Sequence, residues 1–185
     1  TWTLLRGETA RLTRLVGDLQ DLWRAEARQL PLRTEPVDVV TVVADVVERA
    51  SPAAAARGIE VRVDATRPLI ARADRDRLTQ ILDNYLSNAL RYAPEGTVVI
   101  VRATAWGAEV RVSVVDAGPG LTAEQTAQVF ERFYRIDPSR SRALGGAGIG
   151  LAITRALALA MDGRTWATSD GPGSGSAFHV ALPAA

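Results

Sequence analysis

Three clusters in the sequence combine residue types and spacings that chemistry can use. In the stretch beginning at Arg75, the residues Asn84, Asn88 and Arg91 stand at i, i+4 and i+7, which is one face of a helix. Leu78, Ile81, Leu82, Tyr85 and Ala89 form its apolar side. Asparagine costs about half a kcal/mol of helix propensity, so two on one mid-helix face either make a solvated polar surface or offer carbonyl oxygens to a hard cation such as magnesium. The second cluster, Asp116-Ala117-Gly118-Pro119-Gly120, follows the alternating Val110, Val112 and Val114. It is either a tight turn capped by aspartate or a place where a flat polar ligand edge meets a carboxylate and bare backbone. The third, Gly145-Gly146-Ala147-Gly148-Ile149-Gly150-Leu151, opens a helix. Amide N–H groups at the positive end of a helix suit a phosphate, and Arg135, Arg140 and Arg142 either add positive charge beside it or are simply solvated.

The surrounding elements must bring these clusters together. Leu5, Leu12, Leu15, Leu19 and Leu22, widened by Val16, Trp23 and Leu30, predict one amphipathic helix of about seven turns over residues 1–30. Such a stripe needs cover, either by docking on the domain or by joining a dimeric helical bundle. Pro31 and Pro36 bracket a linker over residues 31–36 that acts as a hinge or first strand, leaving 37–185 as the main domain. Asp38 is placed to cap a helix with Val39, Val42, Val43, Val46 and Val47 on its buried face, ending near Gly58. Strands are expected from Ile59 to Val63 and from Leu69 to Ala73, with Asp74 capping the next helix. One hairpin is expected from Val98–Thr104 and Glu109–Val115, turning at Trp106-Gly107, and another from Arg164–Thr168 and Ala177–Leu182. Between them fall a short helix over 123–132 and a longer one over 147–161. Together these elements predict an α+β fold, a sandwich with helices on one face of a sheet.

Composition narrows the function. The 185 residues, 47% hydrophobic and 23% charged, give a globular chain with room for one domain or one domain plus an appendage. Twenty-two basic and 21 acidic residues leave a net charge of +1, which argues against nucleic acid as a partner. The absence of cysteine removes disulfides, thiolate metal sites and cysteine nucleophiles. No apolar run of about eighteen residues exists, so membrane contact is not expected. All basic residues are arginine, which excludes a lysine-dependent phosphate loop and Schiff-base chemistry. The single histidine, His179, lies in an alternating run and is expected to be an ordinary strand residue. The abrupt helical opening reads as a fragment of a longer protein.

In order, Asn-Tyr-Leu-Ser-Asn-Ala-Leu-Arg-Tyr, Asp-Ala-Gly-Pro-Gly, Phe-Glu-Arg-Phe-Tyr-Arg and Gly-Gly-Ala-Gly-Ile-Gly-Leu resemble the N, G1, F and G2 boxes of two-component sensor histidine kinases. The resemblance covers nearly the whole chain. It implies a catalytic ATP-binding domain of the GHKL type, a two-layer sandwich with a mixed, largely antiparallel sheet. The same fold is shared by type II topoisomerase, chaperone and mismatch-repair ATPases. The leading helix is similar to the second helix of a dimerisation and phosphotransfer hairpin. By resemblance, Asn88 with Asn84 would hold Mg2+ against the phosphates of ATP, Arg91 would contact phosphate, and Tyr92 would pack on the adenine. Asp116 would accept from the adenine amino group, with Gly118 and Gly120 lining the base pocket. Phe130 and Phe133 would anchor a mobile lid, and Arg135 would reach the γ-phosphate or a partner helix. Gly146, Gly148 and Gly150, with Ala147, Ile149 and Leu151 between and beside them, would let the lid close on the triphosphate.

The pattern departs from the family in three places. Ala147 replaces a threonine common in the last box, which removes a hydroxyl near the phosphates. Met161-Asp162-Gly163 stands where His-Gly-Gly is frequent. No segment resembles the box that carries the phospho-accepting histidine, and His179 lacks that box's neighbours. The resemblance therefore implies Mg-ATP binding without autophosphorylation. The accepting histidine would lie upstream or on another chain, and phosphate would pass to a response-regulator aspartate from a homodimeric, cytoplasmic kinase. A nucleotide-gated interaction module and a serine kinase of the anti-sigma type are the competing readings.

Overall fold

The computed structural model describes residues 17, 19–20, 22–24, 29–65, 68–136 and 148–185. Most of the leading helix, together with Arg140, Arg142, Gly145, Gly146 and Ala147, lies outside the described residues. Within them, Leu22 and Leu30 join the same buried cluster as the domain core, while Trp23 is exposed.

The segment over 31–36, read as a hinge or first strand, ends in a strand. Strand β1 (Glu35–Asp38) already includes Pro36 and pairs antiparallel with β3 (Ile70–Ala73) in a small two-stranded sheet. Proline is tolerated there because an edge position does not require its missing N–H. Asp38 caps helix α1 (Val39–Ala55) as expected, its carboxylate accepting from the Val40 N–H. Strand β2 (Glu60–Asp64) leads through β3 to helix α2 (Arg75–Tyr92).

The second sheet has five strands in the order β2-β4-β5-β7-β6, with β4 (Val98–Trp106), β5 (Glu109–Asp116), β6 (Arg164–Thr168) and β7 (Ser176–Pro183). Only β2–β4 is parallel; the other three pairs are antiparallel, the mixed and largely antiparallel sheet that was expected. The first hairpin turns at Gly107-Ala108 rather than at Trp106-Gly107, because Trp106 still pairs with Glu109. Helix α3 (Ala123–Gln128) is shorter than the expected 123–132, and helix α4 (Gly150–Ala160) begins three residues later than expected.

Strand alternation decides which side is core. Val99, Val101, Val110, Val112, Val114, Phe178, Val180 and Leu182 are buried in the core that the helices cover. On the opposite face the register aligns Arg102, Ser113, His179 and Trp166 in one row. The Arg111 guanidinium lies over the Trp106 ring at 3.8 Å and the Trp166 ring at 4.9 Å. His179 stacks on Trp166 at 4.9 Å. Flat side chains thus cover the sheet face opposite the core.

His179 is the ordinary strand residue anticipated, with both ring nitrogens engaged. Nδ1 is 2.7 Å from the Ser113 hydroxyl and Nε2 is 2.9 Å from that of Thr168. Burial, and secondarily the nearby Arg111 charge, push its pKa down to about 4. The unfolded chain therefore takes up the proton first, and stability falls as pH drops from 6.5 toward 4. The full shift is worth about 3 kcal/mol, reduced to about 1–2 by solvent at this half-exposed ring. His179→Gln should flatten that acid-side slope, measured by urea unfolding at pH 7 and pH 4.5. An unchanged slope would mean that other groups set it.

Candidate nucleotide site

Helix α2 is held at its N-terminal end. Asp74 caps it, Oδ1 accepting from the Asp76 and Arg77 N–H groups, while Oδ2 accepts from the Arg33 N–H at 2.8 Å and ties the preceding linker to the helix start. Leu78, Ile81, Leu82, Tyr85, Leu86, Ala89 and Leu90 are buried and set the helix's roll. That roll leaves Asn84 and Asn88 half-buried on the adjoining face. Asn84 Nδ2 points at the carbonyl of Gly150, a long contact of 3.4 Å. Asn88 makes no side-chain hydrogen bond to another described residue. Arg91 sits where this face meets a surface groove between α1 and α2, lined also by Arg49, Arg57, Asp83 and Ser87. Tyr92, the last helical residue, is 42% exposed.

Asp116 ends β5 in a buried position, 6% exposed. Its Oδ1 accepts from the Gly118 N–H at 2.7 Å and its Oδ2 from the Ser176 hydroxyl at 2.8 Å. Burial outweighs these bonds and raises its pKa above the usual aspartate value. The loop that follows is clasped by residues 169–175. Gly173 N–H donates to the Pro119 carbonyl at 2.6 Å, and the Leu121 N–H donates to the Ser169 hydroxyl at 3.0 Å. A side chain at Gly120 would run into the Gly171 carbonyl. The sequence reads 169–176 simply as a hairpin turn, and shows neither the Ser176 bond to Asp116 nor this clasp. The turn residues are ordinary, and only the sheet register brings Asp116 opposite Ser176.

The segment after α3 explains why that helix stops early. Phe130 turns into the core, 6% exposed, with its ring edge against Phe178 at 6.3 Å. Phe133 takes a left-handed backbone, φ 60°, and is 63% exposed. The two aromatic residues expected to act together thus face different surroundings. The Phe133 N–H donates to the Gly148 carbonyl at 2.9 Å, so residues 133 and 148 close the base of the intervening segment. Gly148 has φ 71°, and a Cβ there would meet the Phe133 backbone at 3.0–3.1 Å. Gly148→Ala should cost about 1–2 kcal/mol, or about 2–8 °C of melting temperature in a thermal unfolding scan. An unchanged melting temperature would show that the 133–148 junction is slack.

Ile149 points its side chain into the core, 4% exposed, so its backbone is the part of this residue that a ligand could reach. Leu151 packs partly buried against the same core. Helix α4 starts at Gly150 with no side-chain cap from Ile149, so no side chain at its N-cap takes up its first N–H groups. Arg135 is half-buried near the end of the described part of this segment.

Helix α2 unites the clusters. Its Asn84 meets Gly150 at the start of α4, and its Tyr92 carbonyl lies against Gly118, where a Cβ would be 3.3 Å away. Asn84 and Tyr92 are eight residues, hence about 12 Å, apart along the axis, a length that a nucleoside triphosphate spans.

A family model described as histidine kinase-, DNA gyrase B- and HSP90-like ATPase matches residues 73–185. The sensor-like histidine kinase SenX3 of Mycobacterium tuberculosis is 42% identical over 180 residues, covering 96% of this chain and 43% of that protein. Sensor histidine kinase WalK of Bacillus subtilis is 35% identical, covering 96% of this chain and 29% of its own length. The chain thus spans less than half of these curated relatives. Among solved structures, full-length ShkA in complex with AMPPNP superposes with a TM-score of 0.84 at 34% identity, over 99% of this chain and 38% of that one. The mycobacterial sensor histidine kinase MprB gives 0.70 at 31% identity, over 82% of this chain and 97% of that one. The motif order, the mixed sheet covered by helices and the family match agree: this chain belongs to the histidine kinase-, DNA gyrase B- and HSP90-like ATPases.

Proposed function

We propose that this domain binds Mg-ATP and serves as the catalytic unit of a sensor histidine kinase. It would deliver the γ-phosphoryl group to an imidazole nitrogen of a histidine and release ADP. The observation that carries this reading is the double contact of α2, with Gly150 through Asn84 and with the Asp116 loop through Tyr92. One rigid helix then sets the distance between a base-reading carboxylate and a phosphate-facing amide pair. Asp116 would accept from the adenine amino group with lone pairs left over from Gly118 and Ser176. Gly118 and Gly120 would floor the base, and Tyr92 would pack on its edge. Arg91, the N–H groups at the start of α4 and Arg135 would neutralise the phosphates.

The donor set fits magnesium. No group of three histidine, cysteine or carboxylate side chains gathers among the described residues, so the ion would draw on the amide oxygens of Asn84 and Asn88 and on the phosphates. When bound, it offsets the charge of the β and γ phosphates. The half-buried Asn88 amide, with no partner among the described residues, is suited to meet it.

His179 is not the acceptor, because Ser113, Thr168 and Trp166 occupy its ring on the sheet face opposite the core. The accepting histidine then comes from a hairpin elsewhere in the protein or on another chain. The phosphoryl group would go on to a response-regulator aspartate, in a homodimer whose kinase part is cytoplasmic. No described helix is long and apolar enough to cross a membrane. The serine-kinase and nucleotide-gated readings are not favoured, since the relatives named above are sensor kinases.

The test mixes this protein with a separate histidine-bearing hairpin and γ-labelled ATP. Acid-labile label on the hairpin is the expected result. Acid-stable label on serine, or none on any partner despite tight ATP binding, would overturn the kinase assignment.

A further inference from the structure

We propose that Tyr85 is a positioning residue for the amide face of α2. Its hydroxyl locks the roll of that helix against β7 and α4, and so decides where Asn84 and Asn88 face. The inference rests on the nucleotide-binding role proposed above and assigns a new part in it to a residue that touches no ligand.

Tyr85 is fully buried, and its hydroxyl donates to the His179 carbonyl at 3.0 Å. That carbonyl cannot drift, because the His179 side chain is pinned on the far face by Ser113 and Thr168. The Thr154 and Thr165 hydroxyls both act on the same phenol oxygen, opposing the upward pKa shift that burial imposes. Thr154 is fully buried in α4 and donates to the Leu151 carbonyl at 2.7 Å. Thr165 Oγ1 is buried with no well-formed hydrogen bond among the described residues. The Tyr85 ring tilts against Phe178 at 5.8 Å, and Phe178 in turn meets Phe130. One residue earlier in the chain, Asn84 contacts Gly150.

A phenylalanine would fill the same space, so packing does not account for the hydroxyl. Apolar contacts are non-directional and allow a helix to roll, whereas a hydrogen bond to a fixed main-chain oxygen does not. Burying the hydroxyl makes sense where orientation matters, and the side chains this orientation controls are Asn84 and Asn88.

Tyr85→Phe keeps the ring and removes the lock. Titration calorimetry with a non-hydrolysable ATP analogue should find affinity in magnesium about 5–10-fold weaker, with affinity in EDTA within about twofold of wild type. The NMR side-chain amide signals of Asn84 and Asn88 should shift or broaden. Thr154→Val, which loosens the same cluster without altering α2, should give a smaller loss of the same kind and decides the matter if Tyr85→Phe does not fold. Unchanged magnesium dependence with unchanged amide signals would overturn the proposal, as would equal losses in magnesium and EDTA. If the wild type itself gained no affinity from magnesium, the proposed function would fall instead. Tyr85 would then be judged by the amide signals alone, their movement supporting the lock and their constancy refuting it.

Discussion

Replacing Asn88 by alanine is expected to weaken binding of a magnesium–nucleotide complex by about 100-fold while leaving nucleotide affinity in EDTA within about twofold. A hundredfold change is about 2.7 kcal/mol, near the upper range for one lost interaction with a charged group. Stability should move the other way. Asn88 makes no side-chain hydrogen bond to another described residue, and alanine is the better helix former by about half a kcal/mol. The variant should therefore melt no lower than the parent. Calorimetry with and without magnesium, alongside a thermal scan, separates the readings left open by the sequence. If asparagine here only decorates a solvated helix face, affinity stays put and the melting temperature rises slightly. If it serves the ion, magnesium-dependent affinity collapses in a protein that is as stable as before.

The legible parts of this site were those whose chemistry is local. Asn84, Asn88 and Arg91 share a face by helical period alone, and Asp116 with its glycines is one short run. Capping by Asp38 and Asp74 could be read the same way, because a cap bonds residues two or three positions away. What stayed hidden depends on register. Ser176 reaches Asp116 only because β5 and β7 are neighbours in the sheet, and nothing in either strand names its partner. Tyr85 looked like one more apolar position, since its hydroxyl finds the His179 carbonyl 94 residues away. Helix α3 was drawn too long because the run through Arg132 holds no proline or glycine. The demand of Phe130 for the core ended it instead, a tertiary effect overriding local propensity. The β1–β3 pairing went unforeseen for a similar reason: a hinge and a first strand were both open at Pro36, and nothing in that run names β3 as its partner.

Asp116→Asn should show most sharply why that carboxylate is there. Both its oxygens accept within the protein, from the Gly118 N–H and the Ser176 hydroxyl. Asparagine can keep the first bond through its carbonyl, and the serine hydroxyl can rotate to accept from the new amide. Burial has raised the Asp116 pKa, so the unfolded chain ionises first as pH rises, and the folded state bears the cost of the charge at neutral pH. Removing that charge should leave the melting temperature at pH 7 unchanged or higher. Adenine recognition should suffer, since a donor then faces the donor amino group of the base. The expected loss is about 100-fold for an adenosine nucleotide, and less for an inosine nucleotide, whose base presents a carbonyl at that position. Wild-type affinity should also decline as pH falls through the raised pKa, while the variant's residual affinity stays flat over that range. A turn-capping aspartate predicts the reverse pattern: a lower melting temperature, with nucleotide preference intact. The two measurements together decide whether the acid at the end of β5 is kept for the fold or for the base.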